Sequence, residues 1–215
     1  MNTDLSVYLV TDTAIAAAAG HDLVDVVRAA AANGVTAVQL REKDAPARRF
    51  LDTVLRVAEV VPPDVVLVVN DRVDVFLAAR AAGARVSGVH VGQSDLPARA
   101  VRELIGADAV LGLSASSPEQ LAAASASGVV DYVGIGTLRA TATKRDAPPP
   151  LGHDGFARLA AQTDLPAVAI GGIGAGDLPG LRRAGAAGAA VVSAICAAAD
   201  PAAAARTLRA AWDAA

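Results

Sequence analysis

Ala167-Val168-Ala169-Ile170-Gly171-Gly172-Ile173-Gly174 is the stretch that separates the two folds open to this chain. Four apolar residues run into a pair of glycines, the pattern of a buried strand ending in a tight turn with exposed backbone. An open, doubly wound sheet that binds a dinucleotide carries its glycine triplet at the first turn after a strand. That first turn reads Thr11-Asp12-Thr13-Ala14 and has no glycine. The glycines come instead after the seventh strand, where a closed barrel often presents backbone N–H groups to a phosphate.

Outward from this stretch, short β-branched runs alternate with alanine-rich helical segments. Strands are expected at residues 6–11, 37–41, 65–70, 88–92, 110–114, 132–134, 167–170 and 189–192. Helices are expected at 22–33, 46–60, 73–82, from Pro97, from Pro118 to Gly128, and at 154–161, 177–184 and 201–212. Asn33-Gly34-Val35, Ala82-Gly83-Ala84, Ser127-Gly128-Val129 and Ala184-Gly185-Ala186 recur between a helix and the next strand, as a repeated βα unit requires. Near-continuous apolar strands imply a parallel sheet covered by helices. Eight such units without a long interruption predict an α/β fold: one (β/α)8 TIM barrel over residues 1–215, with its active site at the C-terminal strand ends.

Composition narrows the function. Apolar residues make up 53% of the chain, enough for one sizeable core. A net charge of −3 supplies no basic field for nucleic acid. The single cysteine, Cys196, cannot close an internal disulfide, which fits a reducing compartment. No Lys or Arg precedes Arg28, so a signal peptide would lack its charged start. The charge-free segment 184–199 is too short and too rich in Gly and Ala for a membrane span. A cytoplasmic protein acting on small molecules, away from membrane and nucleic acid, is expected.

The polar residues fall at strand ends. Gln39, Arg41 and Lys43 alternate onto one side, where two cations and an amide suit a diphosphate; a solvated loop is the plainer alternative. Asn70-Asp71 and Asp95 place carboxylates where they could hold Mg²⁺, although each aspartate could instead cap the following helix. His90 alternates with Val89 and Val91, and a structural histidine is the commoner outcome there. Ser114 alone reads as a turn residue. Gly171-Gly172 and Ser193 favour a phosphate over simple turn packing. The loop Gly134-Ile135-Gly136-Thr137-Leu138-Arg139-Ala140-Thr141-Ala142-Thr143-Lys144-Arg145-Asp146 combines glycines, hydroxyls and cations, a mixture suited to an anion. Jointly these describe a mouth for two anionic substrates, one of them bound with Mg²⁺.

The motifs Val38-Gln39-Leu40-Arg41-Glu42-Lys43, Val69-Asn70-Asp71, Val89-His90-Val91-Gly92-Gln93-Ser94-Asp95, Gly112-Leu113-Ser114-Ala115, Thr141-Ala142-Thr143-Lys144, Ile170-Gly171-Gly172-Ile173 and Val192-Ser193-Ala194-Ile195 occur in an order that resembles the thiamine phosphate synthase family. The resemblance also takes in Val7-Tyr8-Leu9-Val10-Thr11-Asp12 and Asp131-Tyr132-Val133-Gly134-Ile135-Gly136, so it spans nearly the whole chain. It implies a transferase of thiamine biosynthesis. Such an enzyme couples 4-amino-2-methyl-5-(diphosphooxymethyl)pyrimidine to a hydroxyethylmethylthiazole phosphate, usually the carboxylated form in bacteria. The products are thiamine phosphate and diphosphate, formed through a dissociative pyrimidine carbocation.

By position, the resemblance gives Gln39, Arg41, Lys43, Asn70, Ser114 and Lys144 to the pyrimidine diphosphate and Asp71 and Asp95 to Mg²⁺. It gives Thr141, Ala142, Thr143, Gly172, Val192 and Ser193 to the thiazole phosphate. Arg41, Lys43, Ser114 and Lys144 are the catalytic candidates, with His90 and Gln93 in support. A homodimer is among the assemblies it allows.

Three features depart from the family. Thr137-Leu138-Arg139-Ala140 replaces a proline-containing segment, which predicts a less preorganised loop. The segment 81–88 is longer than usual, and Ser116 stands where many relatives have histidine. Two other functions compete. A thiazole tautomerase-like barrel would want a histidine near strand five, and His21, His90 and His153 all lie elsewhere. A non-catalytic thiamine-phosphate-binding protein would have little use for two metal-binding acids.

Overall fold

A computed structural model describes residues 3–140 and 149–214. Eight strands, β1 (Val7–Val10), β2 (Ala37–Leu40), β3 (Val66–Asn70), β4 (Gly88–Val91), β5 (Val110–Ser114), β6 (Tyr132–Gly136), β7 (Ala167–Ile170) and β8 (Gly188–Val191), close into a barrel in sequence order. Every neighbouring pair is parallel, including β1 with β8, where Tyr8 registers with Ala190. The expected eight strands are all present. β6 runs two residues further than the sequence suggests, because Ile135 and Gly136 continue the ladder with Ala169 and Ile170.

The helices are α1 (Thr13–Ala18), α2 (Leu23–Ala31), α3 (Ala47–Ala58), α4 (Val73–Ala81), α5 (Ala98–Ile105), α6 (Pro118–Ser127), α7 (Gly152–Ala160), α8 (Leu178–Arg183), α9 (Ser193–Cys196) and α10 (Pro201–Asp213). A 3-10 turn, Ala175–Asp177, precedes α8. The short α1 and α9 are not among the helices expected from the sequence. α1 starts where the Asp12 carboxylate accepts from the Ile15 N–H at 2.9 Å. Asp22, Ser117 and Asp200 cap α2, α6 and α10 in the same manner.

The strands face two ways, and each face has its own packing. Val89, Val91, Leu111, Val133, Ile135 and Ala169 point outward into one large apolar layer shared with the helices, including the fully buried Phe50, Phe76 and Phe156. Tyr8, Val10, Ala37, Val110, Tyr132, Val168 and Ala190 form a separate, smaller cluster inside the barrel. Glycine occupies alternate inner positions. A Cβ on Gly112 would overlap the Tyr132 ring and the His90 imidazole, and one on Gly88 would overlap the Val110 backbone. Small residues therefore make room for two buried tyrosines and a histidine, and leave open space above them.

Candidate active site

That space is a cavity of about 640 Å³ at the C-terminal ends of the strands. Every candidate residue that falls among the described ones lines it: Gln39, Arg41, Lys43, Asn70, Asp71, Asp95, Ser114, Gly172, Val192 and Ser193. Thr141, Ala142, Thr143 and Lys144 lie outside the described residues.

The strand pleat sorts the cationic segment. Gln39 is buried on the inner face of β2, and Arg41 and Lys43 follow it onto the cavity wall. Glu42, one step out of phase, turns away and accepts a hydrogen bond from the Thr13 hydroxyl. The Arg41 backbone N–H is held by the buried Thr11 hydroxyl at 3.1 Å, which fixes where the guanidinium departs.

The two aspartates are not helix caps. α4 is preceded by Arg72 and α5 by Pro97, and neither helix has a side-chain cap. Asp71 instead sits in the left-handed region at φ 61°, which aspartate tolerates better than most residues, with its N–H bonded to the His90 carbonyl at 2.8 Å. Its carboxyl is pushed up to about 6, first by burial, then by the charge of Asp95 and a hydrogen bond shared with it; Arg41 and Asn70 act in the opposite sense. Asp95 accepts from the Gly92 N–H at 2.7 Å. Two acids from adjacent strands thus converge beside Arg41, a donor set suited to a hard divalent cation. Among the described residues no group of three or more His, Cys, Asp or Glu gathers to complete a cage, so further oxygens would come from substrate and water.

Across the mouth, β7 ends in Gly171 and Gly172, with φ of 103° and 65°. A Cβ on Gly171 would overlap the Thr137 side chain, so only glycine lets the chain after β6 lie this close. That chain is pinned: Leu138 N–H bonds Ile170 O at 2.8 Å and Arg139 N–H bonds Gly171 O at 3.0 Å. The Arg139 guanidinium pairs with Asp177, a carboxylate only 5% exposed, which also accepts from the Gly174 N–H at 2.9 Å and meets His153 Nε2 at 3.0 Å. Leu138 and Arg139 are thereby tied to the end of β7 and to the turn before α8, while residues 141–146 of the same loop lie outside the described residues.

Several lining residues were not singled out by sequence reasoning. Tyr8 and Tyr132 carry no site assignment in the sequence reading, yet their hydroxyls meet at 2.8 Å on the cavity floor. The available signal was phase: Tyr8 shares the inner face of β1 with Val10, and registers beside the strand that carries Gln39. Ser117 and Gln120 complete the wall beyond β5, beside the Ser116 already noted in the sequence.

Comparison with known proteins agrees with this geometry. Residues 7–195 match the thiamine monophosphate synthase family. A thiamine-phosphate synthase of Azorhizobium caulinodans is 47% identical over 207 residues, 96% of this chain and 94% of that protein. One from Laribacter hongkongensis is 47% identical over 211 residues, 95% of this chain and 94% of that protein. Among solved structures, thiamine phosphate pyrophosphorylase from Pyrococcus furiosus superposes with a TM-score of 0.85 at 31% identity, covering 98% of this chain and 96% of that one. The chain belongs to the thiamine monophosphate synthase family.

Proposed function

We propose that this protein is a thiamine phosphate synthase that joins the pyrimidine diphosphate to the thiazole phosphate and releases diphosphate. The observation that carries the reading is the opposition, across one barrel mouth, of an acid pair beside Arg41 on β2–β4 and the Gly171-Gly172 turn after β7. Two separate anion sites around one cavity suit a reaction between two phosphorylated substrates.

In this reading Asp71 and Asp95 hold Mg²⁺, which when bound neutralises charge on the departing diphosphate. Arg41 and Lys43 stabilise the same developing charge from the neighbouring strand end, joined by Lys144. Gln39, Asn70 and Ser114 orient the pyrimidine. Gly172, Val192 and Ser193, with Thr141, Ala142 and Thr143, hold the thiazole phosphate so that its ring nitrogen faces the carbon that loses diphosphate. The C–O bond breaks first, and the cavity walls keep water from the carbocation before the thiazole attacks. No side chain is required as a nucleophile.

Among the described residues no helix is long and apolar enough to cross a membrane. The reading includes a cytoplasmic location, which suits a buried free thiol, Cys196. It also includes a homodimer, an assembly that the resemblance allows.

Incubation of the protein with both precursors and Mg²⁺ tests the function. Thiamine phosphate above a no-enzyme blank, abolished by a chelator, is expected. Isomerised thiazole without coupling would point to a tautomerase, and binding of thiamine phosphate without turnover would point to a sensor.

A further inference from the structure

The cavity floor is an unbroken line of polar side chains. Gln39 Nε2 lies 2.9 Å from the Tyr8 hydroxyl, and Tyr8 and Tyr132 hydroxyls lie 2.8 Å apart. Tyr132 reaches His90 Nδ1 at 2.9 Å, and His90 Nε2 reaches Ser114 Oγ at 2.9 Å. Five residues from β1, β2, β4, β5 and β6 are thereby linked across the barrel interior.

The direction of each bond follows from the first. An amide NH₂ can only donate, so Gln39 donates to Tyr8. Tyr8 then has one proton to place in a fully buried site, where leaving it unpaired is costly. Its neighbour Tyr132 is the acceptor in reach, and among the described residues no buried side-chain N or O lacks a partner. Tyr132, accepting from Tyr8, donates onward to His90 Nδ1. Burial pushes the Tyr8 phenol up to about 12, and raises Tyr132 further, so both keep the protons this requires. Nδ1 being an acceptor, the neutral ring carries its proton on Nε2 and donates to Ser114 Oγ. The Ser114 proton is then left to point into the cavity that Ser114 lines.

We infer that Gln39, Tyr8, Tyr132 and His90 form a one-way hydrogen-bond chain that fixes His90 as the Nε2–H tautomer and presents Ser114 to the substrate as a donor. Tyr8, Tyr132 and His90 act as positioning residues; Ser114 touches the ligand. The ligand atom is an acceptor, a ring nitrogen of the pyrimidine or an oxygen of its diphosphate. This assignment of the acceptor rests on the function proposed above; the tautomer does not. Gly112 belongs to the same device, because a Cβ there would occupy the space where Tyr132 meets His90.

The tautomer is measured directly on wild-type protein with ¹⁵N-labelled histidine at mildly alkaline pH, with His90→Gln identifying the signal among the three histidines. A pyridine-like Nδ1 and a pyrrole-like Nε2 are expected. A proton on Nδ1, alone or together with Nε2, overturns the inference. In turnover, Tyr132→Phe and Ser114→Ala should each lower kcat/KM for the pyrimidine diphosphate by about 10- to 100-fold, the loss that accompanies one misdirected buried hydrogen bond. The KM for the thiazole phosphate should stay within about twofold. The double variant should lose little beyond Ser114→Ala, because both act through one hydroxyl. Multiplicative losses, or an equal rise in both KM values, would show Tyr132 to be structural only and overturn the positioning role. A wild-type protein that fails to couple the precursors would instead refute the function and leave the tautomer result standing.

Discussion

Asp71 carries the sharpest conflict between stability and chemistry in the molecule. Its carboxyl holds its proton more tightly than a free aspartate, with its pKa raised to about 6 by burial and then by Asp95. A carboxyl whose folded-state value is raised opposes folding once ionised, and the penalty grows as pH climbs from about 4 to about 6. In metal-free protein at neutral pH, Asp71→Asn should therefore stabilise the fold, by about 1 kcal/mol after allowing for solvent screening at this half-buried site. Asparagine also tolerates the left-handed backbone at this position. The same variant should lower turnover and blunt its response to Mg²⁺. Thermal melts and Mg²⁺ titrations of activity check both halves; a destabilised variant with an unchanged Mg²⁺ response would make Asp71 a structural residue at the end of β3 and not a metal ligand.

Between elements, the Asp177 carboxylate joins the chain leaving β6 to the turn that follows β7. Burial alone would raise its proton affinity, but hydrogen bonds from Arg139, the Gly174 N–H and His153 outweigh that and hold it at about 2. A depressed carboxyl contributes stability that is present above about pH 4 and lost as pH falls towards 2, here about 2 kcal/mol. Asp177→Asn should remove that contribution, so its denaturant midpoint should fall at pH 7 and meet that of the wild type near pH 2. A constant gap across the whole range would locate the effect in packing. Phase explains what the sequence revealed of these elements and what it hid. Gln39, Arg41 and Lys43 were legible because a strand alternates with period two and Glu42 marks the opposite side. Arg139 and Asp177 were not, because 38 residues separate an ion pair whose partners look like ordinary loop charges. Tyr8 and Tyr132 were hidden differently: a tyrosine in an apolar strand looks like core until the partner hydroxyl, from the other side of the barrel, is in place.

At the scale of the whole molecule, the eight strands were readable because each is a short apolar run, bounded by glycine or proline in every case but β1, and the closed topology followed from their number and spacing. The short α1 and α9 lay below the length at which periodicity gives a signal. Stability resides in the outer layer, between barrel and helices, while the glycine-lined interior is given over to the site. Phe50→Ala, on the barrel-facing side of α3, should cost about 3–5 kcal/mol by denaturant unfolding, with little change in KM for either substrate at permissive temperature. A comparable loss of substrate affinity would mean that the two layers are coupled. In the proposed reaction one barrel mouth holds two phosphorylated rings on opposite sides of a shared cavity. An experimental structure of the protein with thiamine phosphate, diphosphate and Mg²⁺ tests it most directly. It should place the metal and diphosphate among Asp71, Asp95, Arg41 and Lys43, and the thiamine phosphate group at Gly171-Gly172 and Ser193. Diphosphate bound away from both aspartates, or a thiamine phosphate group away from the β7 glycine turn, would contradict it.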